Sequence, residues 1–224
     1  MSPLALALLA PIIAVACMLY SLVFWRGVTS AETGNAAMIK VSDAISTGAR
    51  AFIKRQYRTI TILAVVLGVA MILGYGLGAN DWEKGWELGG SFLLGALFSG
   101  LSGVVSMVVA TKANLKTAAA AKKGLDAALK MSLRGGTVSA LIVGGLSLLG
   151  LSGLYLFYTE YMGLAASEVP TLLVGYGFGA SFVALFAQSY GVQGGRLLSR
   201  FVGALAESVL QRALKSQCLS LKST

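Results

Sequence analysis

The sequence of 224 residues has no histidine, only two cysteines, and charged side chains at just 12% of its positions. Without histidine and without any CxxC spacing, a zinc site has none of its usual ligand patterns. Cys17 lies in an apolar run and Cys218 near the other end, so the pair does not suggest a disulfide framework. The scarcity of charge is the most restrictive absence, since a globular domain in water carries about 25%. With 56% hydrophobic residues and a mean hydropathy of +0.78, this chain cannot cover its surface with polar groups. Most of that surface must face lipid.

What the chain does have is long apolar runs. A helix crossing the hydrocarbon core needs about 20 apolar residues, because lipid offers no partner to backbone polar groups. Five stretches meet this requirement, near 4–25, 59–77, 91–111, 137–157 and 169–188, and none contains Lys, Arg, Asp or Glu. The first lacks a basic leading region and is too long for a signal-peptide core, so it reads as a retained span. The expected fold class is all-α, a polytopic transmembrane helix bundle of about five spans.

Charge placement sets the expected orientation, because short loops rich in Lys and Arg stay in the cytoplasm. Arg26, Lys40, Arg50, Lys54, Arg55 and Arg58 fall in the first connection, and Lys112, Lys116, Lys122, Lys123, Lys130 and Arg134 in the third. Arg196, Arg200, Arg212, Lys215 and Lys222 follow the fifth span. The second and fourth connections hold Lys84 alone against Asp81, Glu83, Glu87, Glu160 and Glu168. The N-terminus is therefore expected outside and the C-terminal tail in the cytoplasm. Tyr75, Trp82, Trp86, Tyr155, Phe157, Tyr158 and Tyr161 flank the poorly basic connections, where aromatic rings anchor depth.

The two basic connections read as helical extensions. In 34–60, Met38, Val41, Ile45 and Ala49 recur at three- and four-residue spacing, giving an amphipathic helix that runs into the second span. The third connection is rich in Ala, Leu and Lys, and Gly135–Gly136 supplies the expected break before the fourth span. Gly95, Ser99 and Gly103, Gly144, Gly145 and Gly150, and Gly175 with Gly179 read as close helix packing. "GYGFGA" (175–180) superficially resembles a phosphate loop, but no strand precedes it and no Lys-Ser/Thr follows. Nucleic-acid binding is not expected either, since the basic stretches lack interleaved aromatics and topology accounts for their charge.

No span contains the ionisable group that a pump or proton relay requires within the membrane; the most polar candidate is Gln188. No carboxylate cluster offers magnesium a site beside a phosphate substrate. Catalytic, cofactor-binding and metal-ligating residues are accordingly all expected to be absent.

Three stretches, "GNAAMIKVSDAISTGARAFIKRQYRTI", "FLLGALFSGLSGVVSMVVATKANLKTAAAAKKGLDAALKMSLRGG" and "LLVGYGFGASFVALFAQ", resemble the N-terminal part of the membrane-bound, ion-translocating inorganic pyrophosphatases. The resemblance covers residues 1–188. It implies a homodimeric, multi-pass pump of the cell membrane that hydrolyses pyrophosphate with Mg2+ in a cytoplasmic funnel and moves protons or sodium outward. In that family an Asp-rich segment with Lys-x-Glu follows "FAQ". Here residues 189–224 carry one acidic residue, Glu207, and read as a non-matching basic tail: an out-of-frame end, a truncation, or the new tail of a short paralogue. No catalytic residue is carried over, and the isolated chain is expected to be inactive. The alternative class is a non-enzymatic membrane interaction protein that packs against full-length homologues. A small transporter is disfavoured by the charge-free spans.

Overall fold

The computed structural model describes residues 3–188, and among these all regular structure is helical. Five helices are long and apolar enough to cross a membrane. They are α1 (Pro3–Thr29), α2 (Ala36–Leu73), α3 (Trp82–Ala121), α4 (Leu125–Leu156) and α5 (Val169–Gln188). Gly74–Gly78 and Phe157–Tyr161 extend α2 and α4 by one wider π-helical turn each. The tail at 189–224, with Glu207 and Cys218, lies outside the described residues.

Helices α2, α3 and α4 hold 38, 40 and 32 residues, far more than the ~20 that a bilayer requires. Most of the extra length is the basic extensions. The amphipathic segment beginning at Ala36 is continuous with the second span, as its periodicity predicts. Asn35 starts it, its side chain accepting from the Met38 backbone N–H at 3.0 Å, which satisfies one of the orphan donors of the first turn.

Two expectations are corrected. Gly135 and Gly136 do not break a helix; both lie inside α4, whose start is set by Gly124 at φ 126. Gly135 is instead a contact residue, since a Cβ there would sit 2.6 Å from the Ala113 methyl of α3. The third helix also begins at Trp82, nine residues before the expected span. Asp81 caps it by accepting from the Lys84 backbone N–H at 3.1 Å, and Glu83 favours the positive end of the helix dipole.

Helix α1 packs on α4, α4 on α3, and α3 on α2. The tightest approach is between α3 and α5. A Cβ at Gly179 would lie 1.9 Å from the Phe92 carbonyl, one at Gly95 2.0 Å from the Tyr176 carbonyl, and one at Gly175 2.9 Å from that of Leu88. Only missing side chains allow backbones so close, which is how small-residue spacing holds membrane helices together. Ser99 adds a hydrogen bond to the Ala180 carbonyl at 3.0 Å. Phe92 fills the space beside this seam, fully buried against Phe178 and Phe182. On α4, Gly145 gives the same close approach to α1, over the Ala14 carbonyl.

Candidate functional site

The connections segregate by charge, and each end of the bundle presents one surface. At the basic end, the turn between α1 and α2 is pinned to α3. The Lys116 ammonium donates to the Thr29 carbonyl at 3.4 Å and to the Ala31 carbonyl, so a cation on one helix satisfies the free acceptors where another ends. Lys123 pairs with Glu32 at 2.9 Å, and Lys112 lies 5.2 Å from the Trp25 ring centroid. The Lys123 pair is exposed on both sides and contributes little; the half-buried Lys116 contact dominates. A groove of about 570 Å³ runs between the extensions of α2 and α3, floored by Met38, Val41, Ile45 and Leu115 and edged by Lys122.

Magnesium finds no matching donor set here. Glu32 is taken by Lys123 and Asp126 by Lys130 at 2.7 Å. Among the described residues no three His, Cys, Asp or Glu side chains are grouped so as to hold a metal ion. "GYGFGA" is a stretch of α5 in which Gly175 and Gly179 are used against α3, with backbone N–H groups committed to the helix. Gln188 is the last described residue of that helix.

At the opposite end, Asp81, Glu83, Glu87 and Glu168 share a cavity of about 630 Å³ with one cation, Lys84. Lys84 pairs with Asp81 at 3.5 Å. Glu87 differs from the others because it is only 9% exposed, and its Oε1 has no hydrogen-bond partner among the described residues. It lies just outside the charge-free stretch 91–111.

Beside Glu87 is a buried hydroxyl bridge. Tyr158, one turn beyond α4, donates to the Glu87 backbone carbonyl at 3.0 Å and shares a hydrogen bond with Ser91 at 2.9 Å. Tyr158 and Ser91 are 4% and 0% exposed. Tyr158 is therefore no depth anchor, as its place beside a connection suggested, but a strut between α3 and α4. The sequence carried one signal for this cluster: Glu87 and Ser91 stand four residues apart, placing two polar groups on one face of an apolar helix.

The family of inorganic H+ pyrophosphatases matches residues 15–195, ending slightly beyond Gln188. The K(+)-insensitive pyrophosphate-energized proton pump of Caldanaerobacter subterraneus subsp. tengcongensis is 42% identical over 165 residues, 70% of this chain and 23% of that protein. Its counterpart in Methanosarcina mazei is 35% identical over 182 residues, 81% of this chain and 25% of that protein. Pyrophosphate-energized membrane proton pump 3 of Arabidopsis thaliana is 34% identical over 195 residues, 79% of this chain and 24% of that protein. The chain thus spans about a quarter of the length of the curated relatives it matches.

Proposed function

Because this chain belongs to the inorganic H+ pyrophosphatase family, we propose that it supplies the membrane scaffold of a pyrophosphate-energised proton pump. The observation that carries this reading is the family match over residues 15–195, on a chain that folds as five long apolar helices. In this reading pyrophosphate and Mg2+ are held by the three quarters of the family's length that this chain does not cover. Hydrolysis would take place there, with Mg2+ supplying the activation of water that bound divalent metals provide, and the helices described here brace that site. The transported ion is the proton and potassium is not required, as the names of the bacterial and archaeal relatives suggest.

The basic end faces the cytoplasm and the acidic end the outside of the cell membrane, supported by the charge asymmetry of the connections. Anionic headgroups then meet Lys and Arg along the extensions. The assembled pump is a homodimer.

Two measurements test the reading. Purified alone, the chain should hydrolyse no pyrophosphate; co-expressed with the remaining three quarters of the Caldanaerobacter pump, it should restore Mg2+-dependent hydrolysis and proton uptake into inverted vesicles. Hydrolysis by the isolated chain would refute the scaffold role. For orientation, a cysteine at Ser167 should react with an impermeant maleimide in intact cells and one at Lys123 should not; the reverse pattern would invert the topology.

A further inference from the structure

Glu87 lines a second space besides the acidic cavity: an apolar groove of about 630 Å³ between α3 and α4, backed by Tyr176 of α5. Along α3 the lining runs from Trp86 to Phe98, about 18 Å at 1.5 Å per residue, which is three helical turns. The floor is made of glycines. Gly90 and Gly153 face it, and a Cβ added at either would meet no atom within 4 Å. That separates them from Gly95, Gly145 and Gly179, whose missing side chains are already occupied by a neighbouring backbone. Leu94, Phe157 and Trp86 form an exposed apolar rim.

A long apolar trough with a glycine floor has the shape that a helix backbone fills in a membrane. Of the polar groups along it, the Tyr158 and Tyr176 hydroxyls are already bonded within the chain, whereas the Glu87 carboxyl, nine-tenths buried, keeps an oxygen with no partner among the described residues. Leaving such an oxygen unsatisfied forfeits its hydration with nothing in return, and more so if it is charged. A lipid chain would fill the trough and leave that cost in place. A helix carrying a donor would remove it.

We propose that the groove between α3 and α4 is the seat of a transmembrane helix from the part of the family's length absent here, and that this helix presents a hydrogen-bond donor, an amide, hydroxyl or amine, at the level of Glu87. This rests on the scaffold reading above. Relatives are about four times as long as the segment matched, so their further helices have to pack somewhere on this bundle.

The test uses the full chain co-expressed with the remaining three quarters of the Caldanaerobacter pump as a separate, tagged polypeptide. Association is scored as the ratio of the two chains after purification in mild detergent. Gly153→Phe projects a ring into the groove from a position where an added Cβ meets nothing within 4 Å, and Glu87→Leu removes the acceptor. Each should lower the co-purified fraction at least about tenfold, while Gly144→Phe, at another glycine with open space around it, leaves it unchanged. Thermal unfolding of each variant alone should lie at or above the parent, which separates lost docking from misfolding.

Association that survives both Gly153→Phe and Glu87→Leu would overturn the groove assignment and leave the scaffold reading intact. Disulfide trapping between two copies of Gly153→Cys, in place of a cross-link to the longer partner, would overturn it in favour of a self-contact. No association by the unaltered chain would overturn the scaffold reading, and the proposal with it.

Discussion

Replacing Gly179 by alanine adds one methyl at the closest contact in the bundle. The new Cβ would sit 1.9 Å from the Phe92 carbonyl oxygen, against a floor of 3.0 Å for real Cβ contacts, so α3 and α5 must separate locally by at least about 1.1 Å. No side-chain rotation relieves this, because the opposing atom is backbone. Separation strains the Ser99 to Ala180 hydrogen bond at 3.0 Å and loosens Phe92 from its aromatic neighbours. Overpacking of this kind costs about 1–3 kcal/mol, and dispersion lost along the seam adds to it. Gly177→Ala is the matched control on the same helix, since nothing lies within 4 Å of a Cβ there. Unfolding in mixed micelles, followed by circular dichroism, should place Gly179→Ala well below the parent and Gly177→Ala level with it. Equal effects at the two positions would refute the claim that backbone proximity, and not helix propensity, makes position 179 intolerant.

Three further outcomes follow from the same structure. Tyr158→Phe removes the hydroxyl joining Ser91 to the Glu87 carbonyl and should cost about 1–3 kcal/mol in the same unfolding assay, since both partners are buried; an unchanged transition would show that the bridge is not made. Glu87→Leu removes a nine-tenths buried oxygen that has no partner among the described residues, so it should raise stability in that assay by about 1–3 kcal/mol. A destabilised Glu87→Leu would show that the oxygen is bonded. Lys116→Met keeps the apolar stem but frees the carbonyls of Thr29 and Ala31, so amide exchange across 30–35 should accelerate, while Lys123→Met, which breaks only an exposed pair, should leave it near the parent rate.

The five spans were legible because each is a long run free of charge, and lipid enforces that requirement on every residue of a run. The extension at 36–58 was legible because its apolar residues keep a helical period right up to the second span. The start of α3 was not: Glu83, Lys84 and Glu87 read as loop residues, since a charge count does not distinguish a solvated turn from the capped first turns of a helix. Gly135–Gly136 misled for a related reason. A glycine reads the same whether it breaks a helix or admits a neighbour, and Ala113, which decides the matter, lies more than twenty residues away in sequence. Tyr158 shows the same limit, because its partners Ser91 and Glu87 are 67 and 71 residues distant. The candidate site was therefore the least legible part. Residue types located Glu87 in a connection, and only the packing of α4 against α3 shows that its carboxyl is buried.

The length of the helices has a mechanical consequence. α3 is one uninterrupted rod of 40 residues, about 60 Å long, clamped to α5 near its acidic end and carrying Lys116 and its hold on α1 toward the other. A rod of that length tilting by ~3° about its seam with α5 carries its far end through ~2 Å, given the same rise per residue. Small adjustments at the glycine seam are thus delivered, enlarged, to the basic surface tens of ångströms away, and the Lys116 contact passes them on to the end of α1.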